Sequence, residues 1–235
     1  MEQQGNQEKS YKKVINYIKN QIKIGELTMG CKLPAERDLS EILGISRNSV
    51  REALRTLENM GVITSHQGAG NFLTGNFEKN LVESLSMMFL LDQLDYQQIS
   101  QLRRALEMEA LMLAIDNITD DEIQVLKQII AQLEKETEEN NVILDKRMHY
   151  NIALASKNTL IINILEALSE VLDKFIVDLR REILIQEDSR AVLMEAHNGM
   201  VESLVTRNKS LAYEAINKHF GVIDEKLKEN QIKTV

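Results

Sequence analysis

Apolar positions recur at helical spacing from early in the chain. In "SYKKVINYIKNQIKIGEL", Tyr11, Val14, Ile15, Ile18 and Ile22 fall on one face, and Gly25 offers a C-terminal stop. Two shorter stripes follow in "KLPAERDLSEILGISRNSVREALRTLENMGVI". The first, Leu39, Ile42 and Leu43, opens near Pro34, which suits a first helical turn, and ends at Gly44. The second buries Val50, Ala53, Leu54 and Leu57, with Ser46 as N-cap and Gly61 closing it. The period then switches to two. "VITSHQGAGNFLT" reads as strand, glycine turn, strand, with Val62 and Ile63 facing Phe72 and Leu73. Beyond Asn76 the helical period returns and predicts helices at about 79–91, 96–117, 120–139, 142–156, 159–185, 188–206 and 208–229. Asn158 and Asn208 are expected as caps or breaks between them, and the acidic run "EKETEEN" at 134–140 as the solvated end of a helix. The expected fold is mainly α: a winged helix-turn-helix over residues 1–76, then an all-helical bundle over 77–235.

Two helices on so tight a turn, followed by a hairpin, point to DNA, and the polar positions agree. Arg47, Asn48, Arg51 and Arg55 lie off the apolar stripe of the second helix. A recognition helix presents its N-terminal residues to base edges. Arg suits guanine and Asn suits adenine in the major groove. Ser46 and Ser49, with the helix's own N-terminal amides, suit phosphates, and Arg37 on the preceding helix is placed for backbone or base. Gln67, Gly68 and Gly70 allow the hairpin a close approach to the minor groove. A helical hairpin with ordinary surface arginines would explain the two helices alone. The capping serine, the arginine spacing and the glycine hairpin together weigh against it.

The net charge of −8 looks wrong for a nucleic-acid binder, but it is unevenly spread. Residues 1–75 hold ten Lys/Arg and eight Asp/Glu, a net of +2, leaving 18 bases and 28 acids, a net of −10, for the rest. A mildly basic face can bind phosphate while the distant mass stays acidic. Low aromatic content, one proline and no tryptophan favour a helical globular chain. The start, "MEQQGNQEKSYKK", carries no apolar segment of a secretory signal, and no apolar run reaches the roughly 20 residues that span a bilayer. The lone cysteine, Cys31, cannot form an internal disulfide and is taken as a bystander. The expected compartment is the cytoplasm.

Four histidines remain to be placed. His66 belongs to the hairpin, and the other three fall on three different predicted helices. His149 follows Asp145 by one helical turn and borders the apolar stripe Leu144, Met148, Ile152 and Ala155. His197 shares a face with Leu193, Met200 and Leu204, and His219 sits amid Ala212, Ala215, Ile216, Val222 and Ile223. A histidine on an apolar face is most often a satisfied core residue. Three of them beside an aspartate admit a second explanation, because burying polar rings without partners costs about 1–3 kcal/mol each. One shared divalent ion satisfies them together, and bundles build metal sites from facing helices in this way. Asp145, His149, His197 and His219 form a mixed N/O set suited to Zn²⁺, Ni²⁺ or Mn²⁺. Spacing leaves both explanations open. Arg103, on the stripe Ile99, Leu106, Ala110 and Leu113, is a cation among apolar residues. It either pairs with Glu107 or holds a ligand carboxylate beside the metal.

"LPAERDLSEILGISRNSVREALRTLENMGVI", followed by "GAGNFL", closely resembles the winged helix-turn-helix of GntR-type bacterial transcription regulators. The resemblance implies that Arg37, Arg47 and Arg51 contact operator DNA and that Gly68 approaches the minor groove. Many relatives have a basic residue where this chain has Ala69, which implies weaker wing contacts here. "LRRALEMEALMLA" at 102–114 resembles the opening of the helical (FCD) domain of FadR-like members. Those members often bind a metal through an Asp-x3-His pair and two later histidines, a pattern matched by Asp145, His149, His197 and His219, and related regulators hold small organic acids there. The implied function is a homodimeric regulator, a repressor of double-stranded operator DNA, controlled by a small organic acid bound at the metal and not an enzyme. Two alternatives are a metal-dependent hydrolase built on the Asp/His set, although no HExxH occurs, and a regulator that senses the metal itself.

Overall fold

The structure is a computed structural model that describes residues 2–75, 78–92, 96–135, 138–169 and 187–229. It divides into two compact units, Met1–Leu81 and Val82–Val235.

The first unit contains α1 (Glu2–Lys23), α2 (Glu36–Leu43), α3 (Arg47–Asn59), β1 (Ile63–His66) and β2 (Gly70–Leu73). Val14 and Ile18 of α1 are buried against Leu39, Val50, Leu54 and Leu57, with Ile63 and Leu73 completing the core. Gly44 takes the left-handed conformation (φ 62°, ψ 39°) that ends α2, a position costly for a side chain with a Cβ. Two residues later Ser46 starts α3, its hydroxyl accepting the Ser49 amide at 3.1 Å. Ile42 departs from the expected stripe: it is 56% exposed. With only eight residues, α2 has room to bury Leu39 alone, while Leu43 stays half-buried.

The hairpin pairs Ile63 with Leu73, Thr64 with Phe72, Ser65 with Asn71 and His66 with Gly70, so Val62 lies just outside the ladder. A third stretch, unforeseen from sequence, runs along the free edge of β2. The Gly30 amide donates to the Leu73 carbonyl, the Leu33 amide to Asn71 and the Leu73 amide to Cys31, each at 2.8 Å.

α4 (Glu78–Asp92) runs across the boundary, and the second unit continues with α5 (Tyr96–Asn117), α6 (Asp120–Leu133), α7 (Glu138–Ala155), a helix α8 whose described residues are 159–169, α9 (Glu187–Val205) and α10 (Lys209–Glu229). The remainder of the helix expected at 159–185 lies outside the described residues. One core draws on α5, α6, α7, α9 and α10, with Leu111, Leu126, Met148, Met200 and Phe220 fully buried. Asn158 and Asn208 are N-caps as expected, accepting the amides of Ile161 and Leu211. The helix expected at 120–139 stops at Leu133, the last buried position of its stripe. Glu134 and Lys135 form a turn, and α7 is already helical at Glu138, so the acidic run spans a helix end and a helix start. No described helix is long and apolar enough to cross a membrane.

Candidate DNA-reading surface and metal centre

α3 turns its apolar face to the core and leaves Ser46, Arg47, Asn48, Arg51 and Arg55 exposed along the opposite side. Arg51 forms a two-armed pair with Glu36 of α2, Nε to Oε1 at 3.2 Å and Nη2 to Oε2 at 2.8 Å. Arg37 pairs with Glu41 one turn on, at 2.9 Å, and Arg55 with Glu52 at 3.4 Å. These exposed pairs are worth little in water and are easily exchanged for phosphate or a base edge. The hydroxyls of Ser46 and Ser49 lie 2.9 Å apart, so the cap orients the pair at the helix start. Gln67, Gly68 and Ala69 form the exposed tip of the hairpin, and Gly68 has φ 76° with open space around it. The tip is therefore a left-handed turn that presents backbone rather than side chain. Glu58 of α3 accepts the Ser65 amide at 3.0 Å and ties the hairpin to that helix. Neither the Arg51–Glu36 pair nor the Glu58 tie was foreseen, since both need the inter-element geometry.

In the second unit, α7, α9 and α10 bring His149, His197 and His219 together. Each offers a ring nitrogen, and these nitrogens lie within 4.8 Å of one another. His197 Nε2 is 3.1 Å from His219 Nδ1 and 3.1 Å from Asp145 Oδ1. Asp145 Oδ2 lies 3.7 Å from His149 Nε2. All four side chains are nearly excluded from water, His219 completely.

Glu107 on α5 joins this cluster, in a role the sequence did not reveal. Its Oε2 lies 2.8 Å from His149 Nδ1. Its Oε1 accepts from Arg103 Nε at 2.9 Å and Nη2 at 2.7 Å. Burial is the largest influence on the Glu107 carboxyl and pushes it up, but Arg103 and His149 outweigh it and hold the group at about 2. Glu107 is therefore an anion clamped between two nitrogen groups. Of the two readings of Arg103, the structure forms the ion pair with Glu107. The Arg103 guanidinium also lies 5.9 Å from the Phe220 ring, which in turn packs 5.0 Å from the His219 ring.

The donor set fits a metal. An imidazole that gives its Nδ1 proton to a carboxylate presents Nε2 as a lone pair, the arrangement found behind metal-bound histidines. His149 Nε2 is buried and makes no hydrogen bond, which costs free energy unless something accepts that lone pair. Three imidazoles and a carboxylate around one point are ligands for a borderline divalent ion.

Comparison with known proteins identifies the family of each half of the chain. Residues 10–73 match the bacterial regulatory proteins of the gntR family, and residues 98–222 match the FCD domain. The HTH-type transcriptional regulator YcbG of Bacillus subtilis is 29% identical over 92% of this chain and 89% of its own. A putative L-lactate dehydrogenase operon regulatory protein of Escherichia coli is 28% identical over 86% of this chain and 80% of its own. LutR of B. subtilis is 27% identical over 88% and 95%. In fold, the chain is similar to a Streptococcus agalactiae GntR, with a TM-score of 0.61 over 92% of this chain and 99% of that one, at 20% identity. A hydrolase built on the histidines is set aside, since the family and these relatives are regulators. The chain belongs to the GntR family of bacterial regulators that carry an FCD domain, and it is a DNA-binding transcription regulator.

Proposed function

We propose that this regulator is a cytoplasmic, homodimeric repressor whose bundle holds a divalent metal and, beside it, a small carboxylate metabolite. Two winged units then read the half-sites of a near-palindromic operator. The observation that carries the reading is the convergence of His149, His197 and His219 on one buried point beside Asp145. Asp145, His149, His197 and His219 are the ligands, with Zn²⁺, Ni²⁺ and Mn²⁺ the candidates. When bound, the ion supplies positive charge and an open position for a carboxylate oxygen. Arg103 contributes a second positive group once an incoming acid competes with Glu107 for it. On the DNA side, Arg47, Asn48 and Arg51 read base edges, Arg37, Ser46 and Ser49 hold phosphates, and Gln67 and Gly68 approach the minor groove. The acid acts only through unequal affinity for the DNA-competent and incompetent arrangements. The name of the E. coli relative, a putative L-lactate dehydrogenase operon regulatory protein, supports a small hydroxy acid as the effector class.

The test is thermal-shift screening of hydroxy acids, sugar acids and dicarboxylates, each with and without Zn²⁺, Ni²⁺ and Mn²⁺. A binding acid raises the melting temperature by mass action and only in the presence of metal. A panel with no metal-dependent response removes the effector. A second reading, in which the ion itself is the signal, is favoured by one observation: Glu107 already fills the Arg103 guanidinium. Operator affinity measured against free metal without any acid separates the two.

A further inference from the structure

We infer that Lys32 is a DNA backbone contact, seated between the reading helix and the wing. Lys32 precedes α2 and belongs to neither of the two elements that the helix-turn-helix pattern marks for DNA. It lies in the groove between α3 and the hairpin, which Arg51, Arg55, Gln67 and Gly68 also line. Of the lysine and arginine side chains in that groove, Arg51 is paired with Glu36 and Arg55 with Glu52. Lys32 has no carboxylate partner among the described residues, which leaves its ammonium open to an outside anion.

Its place is fixed. The backbone on either side is pinned to β2 by the Gly30, Leu33 and Leu73 amides, and Lys32 itself bridges to Phe72. The lysine stem crosses the hairpin at Gly70, where a Cβ would stand 2.9 Å from Lys32 Cε. Gly70 also has φ 107°, so its lack of a side chain serves both the turn and the passage of the lysine. A flexible stem guided over a glycine that also lines the groove, ending in a point charge, suits a phosphate rather than a base edge. An ammonium lacks the planar fork that reads guanine.

Lys32 therefore adds affinity without adding sequence preference. The test compares wild type, Lys32→Ala and Lys32→Arg on two duplexes, one selected by the wild-type protein from a random-sequence library and one of scrambled sequence, between about 50 and 200 mM salt. Lys32→Ala is expected to bind both duplexes about five- to tenfold more weakly at 0.1 M salt and to lower the slope of log affinity against log salt by about 0.9. Lys32→Arg should restore both quantities, and circular dichroism melting should show all three proteins equally folded. An unchanged salt slope, or a loss confined to the selected duplex, would overturn the assignment, the latter by making Lys32 a base reader.

Discussion

Glu107 makes two contacts that pull in the same direction: one oxygen faces His149 Nδ1 and the other takes the Arg103 guanidinium. Residues that orient a ligand histidine affect metal affinity almost as strongly as the ligands do. Glu107→Gln is accordingly expected to weaken metal binding by about 10- to 100-fold, read by competition with a chromophoric chelator. Equal affinity in the two proteins would deny it that role. His219→Ala should lower the bound metal found by elemental analysis of the purified protein, and unchanged stoichiometry would strike it from the ligand set. On the DNA side, Arg47→Ala or Arg51→Ala should cost about 1–3 kcal/mol on a selected operator if the side chain makes a bidentate base contact. Wild-type binding by both would remove α3 as the reading helix. The inward turn of all three bundle histidines was legible in the sequence, because the apolar residues flanking each set the buried face of its helix. The contact between Glu107 and His149 was not legible. It joins α5 to α7, and no periodicity within one helix records which neighbour lies across from it.

Individual helices follow their local chemistry where caps are strong. α6 opens with a reciprocal cap, the Thr119 hydroxyl accepting the Glu122 amide while the Glu122 carboxylate accepts the Thr119 amide. Glu122 also pairs with Lys157 at 2.6 Å, the contact that does most to lower its carboxyl below the ordinary range. A carboxyl lowered on folding contributes stability above its unfolded value, and that contribution is lost as pH falls through the folded one. Glu122→Gln keeps the cap and removes the titration. Wild type should therefore exceed the variant in urea midpoint near neutral pH, and the gap should narrow as pH drops below about 4.5. A gap independent of pH would exclude the ion pair as its source. The start of α6 at Asp120 was legible in the helical period. Its end could not, since the polar run after Leu133 is as compatible with a solvated helix as with the turn observed. The exposed Ile42 is the same kind of miss: a short helix shows the stripe but not how much of it meets a core.

For the whole molecule, the two-part plan of the chain was visible in its switches of hydrophobic period. What the switches cannot convey is which distant segments share a point. Asp145 and His149 come from the middle of the bundle's sequence, whereas His197 and His219 come from its last two helices. An ion held by all of them staples the end of the chain to its interior, and its binding free energy becomes part of the stability of the folded bundle. Stripping the ion with a chelator should lower the melting temperature of the full-length protein, and hydrogen exchange should rise in α9 and α10 while α1 to α3 are unaffected. Exchange that does not respond to chelation would mean that no ion fastens the bundle. Partly opened proteins are cleared by proteases in cells, so small losses of stability become several-fold losses of abundance. A cell short of the metal would then hold fewer copies of this regulator and answer the shortage through turnover, whether or not the ion takes any part in the grip on DNA.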